Sequence, residues 1–161
     1  KYPLEALQMM VHIVENTEEH LDYDLIMRKA EEQRMKSTSS ALSHATVTTA
    51  NNLGAKCIIA PTASGATARV VSKFKPRTEI IGVTPNEEVM RRMQIYWGVR
   101  PLKSIEFTTT EDVCSGAIDL VVAKQIVETG DVVVLTAGIP SPHFSGQKEG
   151  VSNIMRIAVI Q

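Results

Sequence analysis

The chain is expected to form an open α/β layer structure: a three-layer arrangement with about five strands, mainly parallel with an antiparallel last strand, and helices on both faces. Three observations predict it. Short apolar runs, CIIA at 57–60, EIIGV at 79–83 and DVVVLT at 131–136, alternate with stretches of helical periodicity. DVVVLT is apolar almost without interruption, as in a strand covered on both faces of a parallel sheet. The final run, Ile154 to Ile160, follows a Gly-, Pro- and Ser-rich connection with no helical pattern, which suits an antiparallel return.

The elements follow in order. Leu4, Leu7, Val11 and Val14 recur at helical spacing behind Pro3, a residue tolerated in a first turn, which predicts an amphipathic helix from 3 to about 18. Asp22 to Lys36 is rich in charge and ends in basic residues, as a more exposed helical stretch or arm would. Ser37 to Ser40 offer N-caps for a helix lined by Leu42, Ala45, Ala50 and Leu53 and stopped by Gly54. After CIIA, helical spacing returns through Ala66, Val70, Val71 and Phe74 until Pro76. Following EIIGV, Thr84 as cap, Pro85 in the first turn and Glu87 at the capping-box position announce a helix to about Tyr96. A strand near Val99 to Lys103 and a helix from about Glu111 to Thr129 complete the pattern. Trp97 and Tyr96 read as packing residues at an element end.

With 161 residues the chain has the size of one ordinary domain. Apolar residues make up 43% and charged ones 22%, the composition of a soluble globular protein. A net charge of -1 gives no basic surface for nucleic acid. No apolar stretch reaches the length of a membrane span. Cys57 and Cys114 form no CxxC pair and sit in apolar segments, so they are expected to be buried free thiols in a reducing, cytoplasmic setting. The nearest carboxylate pairs, Asp22 with Asp24 and Glu31 with Glu32, read as solvated faces, not as a metal site. No catalytic residue and no metal ligand is assigned.

Chemistry concentrates in residues 57–74, CIIAPTASGATARVVSKF, where an apolar strand meets small hydroxyl residues around one glycine. Such a loop at the carboxyl end of a strand suits a phosphate group: small side chains permit close approach, Gly65 permits the turn, and Thr62, Ser64 and Thr67 can donate hydrogen bonds. The alternative is that Thr62 or Ser64 simply caps the helix. The loop has neither the Gly-Lys-Ser/Thr end of a Walker A sequence nor GxGxxG, which removes the main support for ATP hydrolysis and for a dinucleotide-binding oxidoreductase.

The segment PTASGATARVVSKFKPRTEIIGVT resembles the C-terminal domain of pyruvate kinase. The likeness runs through the whole chain, with KYPLEAL similar to the segment after the last strand of that family's catalytic barrel and GDVVVLTAGIP to its penultimate strand and effector loop. It implies a helix over 1–20 continuing from a catalytic barrel and a regulatory domain over 21–161. By the same resemblance the whole enzyme transfers a phosphoryl group from phosphoenolpyruvate to ADP with Mg and K, whereas this chain, lacking the barrel, is expected to be inactive alone and to need no cofactor of its own. Thr62, Ala63, Ser64, Gly65, Ala66 and Thr67 match the segment that grips one phosphate of an effector: fructose 1,6-bisphosphate, AMP or ribose 5-phosphate. Lys148, with His143 and Gln147 near it, falls in the effector loop at about 138–152 and would meet a second phosphate. Ala63 and Ala66 replace hydroxyl residues of richer loops, and Gly150-Val151-Ser152-Asn153 replaces Gly-Thr-Thr-Asn. The resemblance further implies partners: the enzyme's catalytic domains, and further copies in a homo-oligomer, a dimer for this piece and a tetramer for the enzyme. Lys73, Lys75, Arg77 and the last strand are candidates for that contact. A free-standing phosphosugar-binding module is the alternative that the loop itself does not discriminate.

Overall fold

The computed structural model describes residues 2–32, 37–106, 109–138 and 152–161. Its helices are α1 (Pro3–Glu19), α2 (Tyr23–Glu32), α3 (Thr38–Leu53), α4 (Ala66–Ser72), α5 (Glu87–Met93) and α6 (Thr110–Ala123). The strands are β1 (Cys57–Pro61), β2 (Glu79–Thr84), β3 (Val99–Lys103), β4 (Val132–Ala137) and β5 (Ile154–Val159). They form one sheet in the order β3-β2-β1-β4-β5. β1 pairs in parallel with both β2 and β4, β2 pairs in parallel with β3, and β5 returns antiparallel along β4, with Val134 opposite Ile157. The predicted fold class and the reversed last strand are therefore both present.

Because side chains alternate across a strand, the central strands feed two cores. Ile58, Ala60, Ile80 and Val134 point to one face, where Val47 and Ala50 of α3, Ala68 and Val71 of α4, and Val89 and Met93 of α5 cover them. Cys57, Ile59, Ile81, Val83, Val133 and Leu135 point to the other, against Cys114, Ala117 and Val121 of α6. Both cysteines are free and buried.

Several boundaries differ from the sequence expectation for local reasons. The buried face of α3 is Ser43, Thr46, Val47 and Ala50, not the Leu42–Ala45–Leu53 line, and Leu53 is left exposed. The cap of α5 is Asn86, whose Oδ1 accepts from Glu88 N at 2.8 Å and Val89 N at 3.2 Å. Thr84 is unavailable for that role because it ends β2, in register with Lys103. The capping box lies instead at α6, where Thr109 and Asp112 each accept the other's backbone N–H at 3.1 Å. α6 stops at Ala123, ahead of the expected end, as Gln125 turns left-handed at φ 55.

The strand order reverses direction between β1 and β4: the chain builds outward from β1 to β3, then crosses to β4 on the other side. In open α/β sheets the carboxyl edge at such a reversal is where a crevice opens. The loop leaving β1 stands at that edge.

Candidate functional site

Residues 62–67 pass from Pro61, the last residue of β1, into α4. The loop stays in line with the sheet because Thr62 N donates to Val83 O of β2 at 2.9 Å. Thr62 Oγ1 then accepts from Gly65 N at 2.9 Å and closes a tight turn. Gly65 occupies the N-cap position of α4 in the left-handed region, at φ 80 and ψ -1, a conformation glycine adopts without steric cost. The first helical bond runs from Arg69 N to Gly65 O at 3.0 Å, so the N–H groups of Ala66, Thr67 and Ala68 have no carbonyl within α4 to meet.

The six predicted residues thus divide by environment. Ala63 and Ser64 are exposed, Thr62 and Ala66 are half-buried, and Gly65 and Thr67 are buried. Ser64 is open to solvent, while Thr67 Oγ1 accepts from Ser152 Oγ at 3.2 Å. Ser152, 1% exposed, also donates its backbone N–H to Ser39 Oγ of α3 at 2.9 Å. This hydroxyl chain joins α3, the start of α4 and the segment entering β5. It follows from the sheet order, since β5 begins beside the end of β4, with Ala137 in register with Ile154. Lys148, His143 and Gln147 lie outside the described residues.

Sequence reading missed one participant. Arg92, on α5, donates from Nη2 to Ser64 O at 2.7 Å. α5 ends at Met93, short of the expected Tyr96; Val89 and Met93 of the helix and Tyr96 beyond its end lie under Gly65, where a Cβ would meet Met93 Cγ and Val89 Cγ1 at 3.4 Å and Tyr96 Cε2 at 3.8 Å. The 89, 92, 93 spacing on the helix was the available signal, but nothing in one helix tells which loop it supports.

The titration shifts resolved elsewhere are structural. Burial pushes the Cys57 thiol up to about 12, and burial likewise raises Cys114, so both stay protonated thiols. The hydrogen bond from Lys103 lowers the Glu87 carboxyl, and that from Arg156 to Glu111, at 2.8 Å, keeps the guanidinium charged. Among the described residues no group of three or more His, Cys, Asp or Glu is placed to hold a metal ion, and Asp22 caps α2 by accepting Leu25 N at 2.8 Å. Of the expected contact cluster, Lys75 Nζ lies 4.6 Å from the Trp97 ring centroid and Arg77 Cζ 4.8 Å from that of Tyr23, so both cations rest on rings of this chain. A separate open cleft of about 520 Å³ lies at the amino ends of β2 and β3, lined by residues including Arg77, Glu79, Tyr96 and Arg100. No helix of the described residues is long and apolar enough to cross a membrane.

Fold and loop together define an α/β domain with a small-residue, hydroxyl-bearing turn at the carboxyl edge of its sheet. Residues 40–158 match the family described as pyruvate kinase, alpha/beta domain. The chain belongs to that family. It is 35% identical over 160 residues to pyruvate kinase of Clostridium acetobutylicum, covering 99% of this chain and 33% of that protein. Pyruvate kinase of Geobacillus stearothermophilus is 34% identical over 160 residues, covering 99% of this chain and 26% of that protein. Among solved structures, a pyruvate kinase from Cryptosporidium parvum superimposes with a TM-score of 0.83 at 26% identity, covering all of this chain and 31% of that one. The chain therefore spans a third or less of the length of these relatives.

Proposed function

We propose that this chain is the regulatory and oligomerisation part of a pyruvate kinase, an enzyme passing a phosphoryl group from phosphoenolpyruvate to ADP in glycolysis, and that it binds a phosphorylated effector at residues 62–67. Phosphoryl transfer requires carboxylate-held cations and a positioned lysine around the phosphates. In this reading the Mg and K of the whole enzyme are assigned to its catalytic portion, and this chain alone is expected to give no turnover. A nucleotide fits the same division: a Cryptosporidium parvum pyruvate kinase has been solved with ADP, and its substrate role is the catalytic portion's.

The observation that carries the effector reading is the turn itself. It sets the exposed Ser64 beside the start of α4, with the Arg92 guanidinium bonded to Ser64 O. A phosphate dianion needs that kind of donor set.

Residues 1–20 are the join to the catalytic portion. Leu4, Leu7, Met9, Met10, Val11, Ile13 and Val14 are 44–64% exposed and α1 buries no residue, so this helix has an apolar surface for other domains of the enzyme to cover. The outer edge of the sheet supports homo-oligomer contact in the same way, since Met155, Ile157 and Val159 of β5 are exposed. A phosphoenolpyruvate and ADP assay of the purified chain should give no turnover. Calorimetric titration with fructose 1,6-bisphosphate, AMP and ribose 5-phosphate should give saturable binding by at least one, weakened by salt; no binding by any of the three overturns the effector reading.

A further inference from the structure

We propose that Arg77 and Tyr23 form a latch that sets the direction in which α1 leaves the α/β body. Its meaning for the enzyme rests on the reading of residues 1–20 as the join: the latch is then the contact through which the body holds the catalytic portion in one orientation.

Packing alone does not hold α1. The helix buries none of its residues and turns its apolar side chains to solvent. α2 is better seated, since Met27 packs against the core that α3 and α4 cover. Between the two helices lies a short turn, where His20 N and Leu21 N donate back to Thr17 O and Glu18 O. Such local bonds close the turn and leave the direction of α1 relative to the sheet to other contacts.

Tyr23 is where three parts meet. Its backbone opens α2, its hydroxyl reaches Glu18 O in the last turn of α1 at 3.4 Å, and its half-buried ring carries Arg77, with Cζ 4.8 Å from the centroid. Arg77 belongs to the body: it stands two residues before β2 and follows the buried Pro76, whose ring fixes φ and restrains the backbone there. A guanidinium is flat and weakly hydrated, so it rests on an aromatic face while its edge stays in water. A contact of this kind shifts a population by about two- to thirtyfold, enough to favour one orientation and small enough to be released. Lys75 provides the comparison. Its Nζ lies 4.6 Å from the Trp97 centroid, but both partners belong to the body, so that contact does not steer α1.

The test is electron paramagnetic resonance distance measurement on the full chain, with nitroxide labels at Gln8→Cys on α1 and Lys124→Cys after α6, both exposed positions. The native thiols are buried and react slowly with the label. An otherwise wild-type chain should give one narrow distance distribution. Arg77→Met and Arg77→Gln, which remove the charge, and Tyr23→Leu, which removes the ring, should broaden it about twofold or more. Tyr23→Phe keeps the ring and should keep the narrow distribution, as should Lys75→Met. Arg77 is exposed, so its two variants should melt close to wild type, which separates a freed α1 from a loosened body. An equally narrow distribution in both Arg77 variants, a wild-type distribution as broad as theirs, or the same broadening in Tyr23→Phe or Lys75→Met overturns the latch. None of these results bears on the join itself, which is tested by whether the catalytic portion binds residues 1–20.

Discussion

Replacing Gly65 by alanine tests the geometry on which the site depends. At φ 80 and ψ -1 the backbone is left-handed, and an L side chain there costs about 1–2 kcal/mol. The added Cβ would find Met93 Cγ and Val89 Cγ1 at 3.4 Å, the edge of ordinary contact, so packing adds little and the conformational cost decides. At about 2–4 °C per kcal/mol for a chain of this size, the melting temperature should fall by roughly 2–8 °C. Gly54→Ala is the control: φ is 58 and nothing lies within 4 Å of the added carbon, so its stability loss should be similar. The two should part in ligand titration, where Gly65→Ala weakens phosphate binding by turning the Ala66 and Thr67 N–H groups and Gly54→Ala leaves it unchanged. Thermal unfolding and calorimetry of both variants provide the assay. A Gly65→Ala chain that melts with wild type, or binds phosphate as wild type does, would refute the reasoning.

Other consequences are equally open to measurement. In Gly82→Ala the Cβ would stand 2.8 Å from Met93 Sδ, and displacing that buried side chain should cost about 1–3 kcal/mol in urea unfolding while also loosening the support beneath Gly65. Thr67→Val removes the acceptor for Ser152 Oγ, both residues being at most 2% exposed; a loss of about 1–3 kcal/mol is expected, and a double-mutant cycle with Ser152→Ala should show coupling. Cys57 is held up to about 12 from an ordinary 9.0; its unfolded thiol ionises first, so stability should fall as pH rises from about 9 towards 12, and Cys57→Ser should flatten that limb of the unfolding curve. Glu87 is held below its ordinary value by Lys103, so its contribution is present above the unfolded carboxyl pKa and lost as pH falls through the folded one; Glu87→Gln should remove that acid-side dependence, as should high salt.

Strong local signals made much of this architecture legible. Continuous apolar runs marked β1, β2 and β4, because strands buried on both faces leave no polar positions, and Gly54 ended α3 where expected, in the left-handed conformation. Positions set by competition between neighbours were not legible. Thr84 is as good a cap as Asn86 in sequence, and only the ladder with β3 assigns it to the sheet. Gln125 adopts positive φ without being glycine, so the end of α6 carried no punctuation. Within the site, the hydroxyl loop is a contiguous stretch and could be read. Its supports are not: Arg92 is 28 positions from Ser64, and Ser152 is 85 from Thr67. Arg92 looked like an ordinary polar residue until the fold brought α5 beside the loop after β1, whereas Ser152 was brought near that loop only by the family resemblance.

The most direct test of the central claim is to record amide nuclear magnetic resonance spectra of the chain while inorganic phosphate is added. If the turn after β1 is the anion site, the resonances of Ala66, Thr67 and Ala68, with the Arg92 side-chain N–H, should move first and saturate together. Shifts confined to the cleft lined by Arg77 and Arg100 at the opposite end of the sheet, or no saturable shift at all, would contradict the account.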